Sequence, residues 1–336
     1  MSTSFESFLN TSRDTINQGL EELVDGLTDT VFQPHIKRSL LSGGKRLRPI
    51  LVLLSSHMFG GDQKQVMPLA ISHELIHTAS LVHDDIIDQA QYRRGRRSVP
   101  EKWGVEEAIL TGDALLSIAI ELSSDYPPEV IKSVSRMAFL LSSGEKMEFT
   151  ARLRNYTQKR YLDSVRKKTG AMFVSCVSCP AQLQNGSSKD ISNIEQFGRN
   201  LGILFQIRDD INDISTDNSS IPRDFCPPRI TLPVIHAYQN TDEARKQVFL
   251  NSWQRLKKSG SNSAYETLKD FLAEKNSIIY CKKLQYFYAK KAARNLSFLP
   301  PNSFRSYLRK LLSTLEEKEA DLDGKILFQK AQDMDN

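Results

Sequence analysis

The chain has few of the features that mark secreted, zinc-binding or membrane-spanning proteins. It contains 4 cysteines in 336 residues, and only Cys176 and Cys179 form a C-x-x-C pair, so a second pair that would complete a zinc site is missing. No apolar run approaches the length of a membrane span, and the first residues are polar and acidic, unlike a targeting peptide. We therefore expect reduced, structural thiols and a cytoplasmic protein.

The balance of charge is mildly basic. The formal net charge is +5 and the sequence pI is about 8.9, which suits anionic ligands but does not by itself indicate nucleic acid. A hydrophobic content of 40% and a charged content of 25% are ordinary for a globular protein of this length, which can bury a large core.

Helical periodicity dominates, and no segment shows a convincing strand alternation. The sequence predicts a single all-α domain of packed helices, with a proline-broken loop over 215–228 and a flexible tail at 321–336. The predicted helices cover residues 5–25, 30–41, 46–59, 64–90, 105–124, 129–155, 157–184, 188–215, 229–240, 243–258, 263–297 and 302–320.

Two aspartate triplets carry the most chemical information. Asp84, Asp85 and Asp88 have the form Asp-Asp-x-x-Asp, and so do Asp209, Asp210 and Asp213. Residues four apart lie roughly 6 Å apart along one face of a helix, so each triplet gathers carboxylates on an otherwise apolar rod. Such clusters are costly without counter-charge, and Mg²⁺ held by one or two carboxylates commonly also takes substrate phosphates. We expect the two clusters to face each other and bind divalent cations.

The predicted helix 64–90 also carries a polar stripe and a pattern found in zinc proteases. His73, His77 and Ser80 line up with Asp84 and Asp88, and the apolar flanks favour a lined cavity over a solvated face. His73-Glu74-Leu75-Ile76-His77 matches H-E-x-x-H formally, but no third zinc ligand follows at a usual spacing, which argues against a zinc protease.

Basic clusters accompany the triplets. Glycines precede Lys45, Arg46 and Arg48 at a predicted helix start, where backbone N–H groups and cationic side chains can bind phosphate. A second cluster occupies 93–97, and Lys167 and Lys168 form a third. Because aromatic residues do not interleave with the arginines, metal-bridged phosphate fits them better than RNA.

The chain resembles the trans-isoprenyl diphosphate synthases in segments that follow that family's order over about residues 20–320. The resemblance implies an isoprenoid-synthase helical bundle around a central cavity, spanning 1–320 as one domain and forming a homodimer. The matching segments are GGKRLRP (43–49), HTASLVHDDIIDQAQYRRG (77–95), GD (112–113), KTG (168–170), GILFQIRDDINDI (202–214), TLP (231–233) and AKKAARNLSFLP (289–300).

The resemblance also implies a trans-prenyltransferase that joins an allylic diphosphate to isopentenyl diphosphate. About three Mg²⁺ ions would stabilise the departing diphosphate. The implied metal ligands are Asp84, Asp88, Asp209 and Asp213, and the implied catalytic residues are Asp84, Asp85, Asp88, Lys168, Asp209 and Asp210. The allylic diphosphate would contact Arg93, Lys168 and Thr169, with the substrate-binding residue Gln206 near the second metal site. The isopentenyl diphosphate would contact Lys45, Arg48, His77 and Arg94.

One segment departs from the family pattern. The family usually has G-K-x-x-x-D-L-x-x-G-K before T-L-P, whereas residues 220–230 lack the first lysine and have Arg229 in place of the second. Arginine and lysine differ in hydration and reach. We expect Arg229 to contact substrate. The departure leaves three alternatives: a slow enzyme, an enzyme whose loop closes differently, or a weakly active or non-catalytic subunit that needs a partner.

Product length should depend on the residues below the first triplet. Ala79 and Ser80 lie about one helical turn before Asp84, where short-chain members of the family have a bulky aromatic residue. Small side chains here favour geranylgeranyl diphosphate, with five or six isoprene units as the alternative. A terpene cyclase is disfavoured because its second motif is usually different, and an RNA-binding protein would leave the aspartates unexplained.

Overall fold

The protein is described here by a computed structural model, which covers residues 4–28, 30–215 and 229–315. Within these ranges the chain forms fifteen α-helices and one two-stranded hairpin. The helices are α1 Phe5–Asp25, α2 Gln33–Leu40, α3 Leu47–Met58, α4 Gln63–Ile87, α5 Val99–Trp103, α6 Val105–Ser123, α7 Pro128–Phe149, α8 Gln158–Val165, α9 Ala171–Leu183, α10 Ser188–Ser215, α11 Leu232–Gln239, α12 Glu243–Ser259, α13 Asn262–Glu274, α14 Ser277–Ser297 and α15 Ser303–Ser313; the strands are β1 Tyr92–Arg93 and β2 Arg96–Arg97.

The chain divides into two compact units, each built from several stretches. The first unit comprises Met1–Phe139, Met172–Gly198 and Leu296–Lys310, and the second comprises Leu140–Ala171, Arg199–Asn295 and Leu311–Asn336. The first aspartate triplet belongs to the first unit and the second triplet to the second unit.

In the first unit, α4 is the central helix and packs on α3 and α6. The leucines of α3, such as Leu51 and Leu53, are fully buried. Gly112 of α6 allows a close approach to α4, since an added Cβ would collide with the ring of His83. The hydroxyl of Ser72 donates to the carbonyl of Ala119 at 2.9 Å, which fixes the register of α4 against α6.

In the second unit, an aromatic and aliphatic cluster holds α11, α12 and α13 together. Phe249 and Phe271 are buried with their ring centroids 5.1 Å apart, and Leu256 and Leu268 pack in the same cluster. Val234 of α11 joins it, so the N-terminal end of α11 is held firmly. That end matters below, because it supplies a hydrogen bond to the second triplet.

The all-α class predicted from the sequence is confirmed, and most helices fall within a few residues of their predicted bounds. Several details of the prediction were wrong, among them the absence of α5 at Val99–Trp103 from the predicted helices. The hairpin at 92–97 was not predicted; its turn has positive φ at Arg94 and Gly95, as a type I′ turn requires. The predicted helix 263–297 is two helices, since Asn276 adopts a left-handed conformation. The predicted helix 129–155 ends at Phe149.

The predicted helix 157–184 contains a π-helical turn over Arg166–Gly170, between α8 and α9. Such turns add a residue to the helix and often occur at functional sites. Of the predicted loop 215–228, Ser215 is the last residue of α10, and the remaining residues lie outside the described ranges, as does the predicted tail 321–336. In the described ranges, no helix combines the length and the apolar composition that a bilayer crossing requires.

The H-E-x-x-H pattern of α4 is structural. His73 is fully buried: its Nδ1 donates to the Leu69 carbonyl at 2.8 Å, and its Nε2 accepts from the Ser175 hydroxyl at 2.8 Å. Glu74 is buried in an ion pair with Arg46 at 2.7 Å. With both groups engaged by protein, the zinc-protease interpretation is excluded, as the sequence indicated.

Burial should make the stability of the fold depend on pH through His73. Burial lowers the pKa of His73 from 6.5 to about 4, so between these values the unfolded chain binds more protons than the folded chain. We expect the free energy of unfolding to fall by up to about 3 kcal/mol from this residue as the pH drops from 6.5 to 4. Urea unfolding across this range would measure it.

His73→Gln should flatten that dependence, because glutamine can hydrogen-bond without titrating. Burial also lowers the pKa values of His77 and His236, so part of the fall should persist in the variant. An unchanged pH profile in His73→Gln would contradict the assignment to His73.

Candidate active site

The first aspartate triplet lies at the C-terminal end of α4. Asp84 and Asp88 are half-buried, one turn apart, and the N–H of Asp88 donates to the Asp84 carbonyl at 2.8 Å. The carboxyl end of a helix carries partial negative charge. In the described residues of α4, the last turn contains no basic residue that would offset this charge. Carboxylates placed there raise the local negative potential, which favours a bound cation.

The middle aspartate of this triplet has a different environment. Asp85 is 2% exposed, and its carboxylate accepts from Arg93 Nε at 2.7 Å and lies 2.6 Å from Arg93 Nη2. This buried, charge-assisted pair fixes the guanidinium of β1 relative to the end of α4. Asp85, predicted as catalytic, is therefore placed to position Arg93.

The basic residues predicted for isopentenyl diphosphate gather at the start of α3. Arg48 Nη1 donates to His77 Nε2 at 3.1 Å, and Arg48 stacks over the ring of Phe173 at 5.4 Å. Burial, and then the charge of Arg48, lower the pKa of His77 well below its usual value. His77 is thus neutral, and with Nε2 accepting, its proton lies on Nδ1.

The loop before α3 approaches the hairpin. Arg94 Nη1 donates to the Gly43 carbonyl, and Gly44, at φ 135°, lies so close to the Arg94 guanidinium that an added Cβ would sit 3.1 Å from it. Lys45 is exposed on the same loop. The first unit therefore brings Arg48 and His77 together, and brings Arg94 to the glycines beside Lys45.

The second triplet lies near the C-terminal end of α10 and, like the first, contains two half-buried aspartates and one buried aspartate. Asp209 and Asp213 are half-buried, whereas Asp210 is 4% exposed. The Asp210 carboxylate accepts from the Tyr161 hydroxyl at 2.7 Å, and from the Leu232 N–H and Gln206 Nε2 at 3.0 Å each. Burial, the largest effect, raises the pKa of Asp210 to about 6.

A hydrogen-bonded chain links this triplet to the K-T-G segment. The Thr169 hydroxyl donates to Gln206 Oε1 at 2.8 Å, and Gln206 in turn donates to Asp210. The π-helical turn 166–170 presents Thr169 towards this chain. Sequence reasoning missed Tyr161, since nothing in its spacing distinguishes it from a core tyrosine, and it missed that T-L-P supplies the N–H of Leu232.

Lys168 is opposed by two carboxylates that sequence reasoning also missed. Its Nζ lies 2.5 Å from Glu145 Oε2 and 3.0 Å from Glu148 Oε2. Gly144 allows α7 to approach the π-helical turn, because an added Cβ would collide with the Lys168 backbone. The sequence signal for this contact was the spacing of Gly144, Glu145 and Glu148 on one helix. Any anion bound by Lys168 must compete with both glutamates.

A pocket in the second unit joins these groups. Its walls include predicted residues from three segments of the chain, and Arg229 contributes from the edge of the described region. Tyr161 and Glu148 line the pocket without having been predicted as site residues. The lining residues that the sequence predicted are Lys168, Thr169, Gln206, Asp210, Asp213 and Arg229.

The donor sets fit Mg²⁺ bound together with a phosphate. Each triplet offers two half-buried carboxylates at a helix end without a basic residue in the last turn, in α4 and in α10. Among the described residues no group of three or more acidic, histidine or cysteine side chains could hold a metal alone. Mg²⁺ keeps several waters and usually needs only one or two carboxylates besides substrate phosphates.

Comparison with known proteins assigns the family. The polyprenyl synthetase model matches residues 30–271. A geranylgeranyl pyrophosphate synthase from Geoglobus acetivorans is 32% identical over 317 residues, covering 90% of this chain and 96% of the relative. An all-trans-nonaprenyl-diphosphate synthase from Rhodobacter capsulatus is 30% identical over 300 residues, covering 87% and 89%.

Solved structures agree. Geranylgeranyl pyrophosphate synthetase from Pyrococcus horikoshii superposes with a TM-score of 0.83 at 31% identity, covering 94% of this chain and 98% of that one. The prenyltransferase resemblance expected from the sequence is confirmed, and the chain belongs to the polyprenyl synthetase family.

Proposed function

We propose that the chain condenses isopentenyl diphosphate with an allylic diphosphate and releases geranylgeranyl diphosphate. The main support is that both triplets divide their carboxylates in the same way. The outer aspartates of each triplet are half-buried near a helix end, while Asp85 and Asp210 are buried in contacts with Arg93 and Tyr161. Relatives named as geranylgeranyl synthases support the product, and the nonaprenyl synthase keeps a longer product as the alternative.

In this proposal each residue has a definite task. Asp84, Asp88, Asp209 and Asp213 would hold Mg²⁺, which when bound acts as a Lewis acid and neutralises the leaving diphosphate. Arg93, oriented by Asp85, would bind the allylic diphosphate. Lys168, Thr169, Gln206 and Arg229 would bind it in the second unit.

The isopentenyl diphosphate would be held by direct cationic contacts. Lys45, Arg48 and Arg94 supply charge, and neutral His77 has its Nδ1 proton available as a donor, because Nε2 is occupied by Arg48. After the allylic C–O bond ionises, the alkene of isopentenyl diphosphate attacks the cation. The proton then lost passes to the departing diphosphate, so the protein needs no dedicated base.

We also propose that the chain forms a homodimer. The first unit exposes large apolar side chains on α6, including Ile109, Leu110 and Ile120, at 45%, 50% and 67% exposure. Phe139 of α7 is 63% exposed. A second copy of the chain would cover such surface favourably. The single domain boundary at 320 and the cytoplasmic location stay predictions.

The metal-dependent reaction gives the central test. Purified protein incubated with labelled isopentenyl diphosphate and an allylic primer should elongate the primer with Mg²⁺ and not with EDTA. Asp84→Ala and Asp209→Ala should each lower kcat by about a hundredfold or more, because transition-state charge loses its counter-ion. Asp14→Ala, at an exposed aspartate of α1, is the matched control. Elongation in EDTA, or none with any primer, would overturn the proposal.

Glu145 should weaken allylic substrate binding by holding Lys168. Glu145→Gln removes one of the two opposing carboxylates. For a partly exposed pair worth about 1 kcal/mol, the KM for the allylic diphosphate should fall about fivefold. Glu129→Gln, at an exposed glutamate of the same helix, should leave it unchanged. A higher KM in Glu145→Gln would mean that Glu145 is needed to orient Lys168.

Ser80 gives a sharper test of product length than Ala79. Ala79→Phe is expected from the sequence to shorten the product, but Ala79 is fully buried, so the ring would also overpack the core at about 1–3 kcal/mol. Ser80 is half-buried on the stripe of His77 and Asp84. Ser80→Phe should shorten the product by at least one isoprene unit, measured by chromatography. Ser80→Ala should keep the length, and unchanged length in Ser80→Phe would place the cavity floor elsewhere.

A further inference from the structure

A second basic pocket lies in the first unit, enclosed by α2, α4, the β1–β2 hairpin and the start of α5. We call it the arginine pocket. Its walls contain Arg38, Arg93, Arg94, Arg96 and Arg97, and Asp85 is the acidic residue among them. Asp85 is already paired with Arg93. Four guanidinium groups therefore face this pocket without a carboxylate of its walls to balance them.

The side chains of two of these arginines differ from the others in their contacts. Across residues 4–28, 30–215 and 229–315, no hydrogen bond or ion pair involves the side chains of Arg96 and Arg97. Arg38 is anchored instead, since its Nε and Nη2 donate to the Arg97 carbonyl at 3.2 and 2.8 Å. Arg38 therefore helps to hold the hairpin in place. The like charges gathered there repel one another unless an anion is bound.

A buried hydroxyl in the same wall also lacks a partner. Thr78 is 3% exposed, and within the described part of the chain its Oγ1 has no hydrogen bond. The serines of the pocket differ: Ser39, Ser42 and Ser98 all donate to backbone carbonyls. Buried polar groups are nearly always satisfied, so an unsatisfied donor in a basic pocket indicates a missing acceptor.

The arginine pocket is distinct from the proposed substrate sites. Its α4 residues Thr78, Val82 and Asp85 lie about a quarter to half a turn around the helix from His77 and Asp84, and Leu81 lies nearer to them. Neither Lys45 nor Arg48 lines it. It shares Arg94 with the proposed isopentenyl diphosphate site and Arg93 with the proposed allylic diphosphate site.

We propose that the arginine pocket binds a small multivalent inorganic anion, and that this anion is inorganic diphosphate. Guanidinium groups bind phosphate oxygens through paired N–H donors, and the Thr78 hydroxyl would donate to the same anion. The apolar part of the walls is limited to Leu81, Val82 and Val99, which offers little room for a prenyl chain.

Occupancy would have a regulatory consequence, which rests on the proposed function. Arg94 would turn from the Gly43 carbonyl towards the bound anion. It would then be withdrawn from isopentenyl diphosphate. Diphosphate released by the reaction would in this way raise the KM for isopentenyl diphosphate.

Counting diphosphate sites by isothermal titration calorimetry tests the proposal. In EDTA, which removes metal-dependent binding, the wild-type chain should bind inorganic diphosphate at two sites. Arg97→Gln should remove one site, and Thr78→Val should weaken the same site about fivefold or more. Arg136→Gln, at an exposed arginine of α7, is the matched control and should behave as wild type. Unchanged binding in both Arg97→Gln and Thr78→Val would overturn the proposal.

A variant of the proposed substrate site separates the two proposals. Arg48→Gln should remove the other diphosphate site and leave the site that depends on Arg97. If Arg48→Gln removes nothing while Arg97→Gln still removes a site, the arginine pocket stands and the proposed substrate site fails. Tighter binding of a prenyl diphosphate than of inorganic diphosphate to the Arg97-dependent site would overturn the small-anion assignment.

Discussion

Negative charge accumulates at the carboxyl ends of α4 and α10, and the neighbouring residues are arranged around it. Each helix ends with three aspartates and without a basic residue in its last turn, within the described residues. The helix dipole adds to the same potential. In each triplet the middle carboxylate is neutralised or hydrogen-bonded by the protein, by Arg93 in one case and by Tyr161, Gln206 and Leu232 in the other. The outer carboxylates differ from the middle one in being half-buried rather than buried.

The cationic side chains are also held in place by protein contacts. Arg93 is fixed by Asp85, Lys168 is held by Glu145 and Glu148, and Arg48 donates to His77. Their guanidinium and ammonium groups are thus positioned before a substrate arrives, which lowers the entropy cost of binding it. The same contacts compete with the substrate for these cations. The competition is strongest at Lys168, where two glutamates oppose one ammonium group.

Sequence reasoning reached the fold class, the helix order and the family because these follow from periodicity and from long motifs. It assigned all three aspartates of each triplet to chemistry, since spacing along a helix cannot tell an exposed carboxylate from one that tertiary contacts bury. Asp85 and Asp210 differ from their neighbours only through residues distant in sequence, such as Tyr161 and Leu232. Glu145 and the hairpin at 92–97 were missed for related reasons: the first acts across two helices, and the second is too short to show alternation.

The π-helical turn at 166–170 makes this segment sensitive to chain length as well as to side-chain identity. It contains one residue more than a continuous α-helix would need between α8 and α9. Deleting a single residue there would let the two helices merge into a regular rod. Because the bulge absorbs the extra residue, α8 and α9 would keep their relative orientation, but the wide turn that presents Thr169 would be lost. Substitutions in this turn change one contact each, whereas a one-residue deletion would remove the turn and, with it, the contacts of both Lys168 and Thr169.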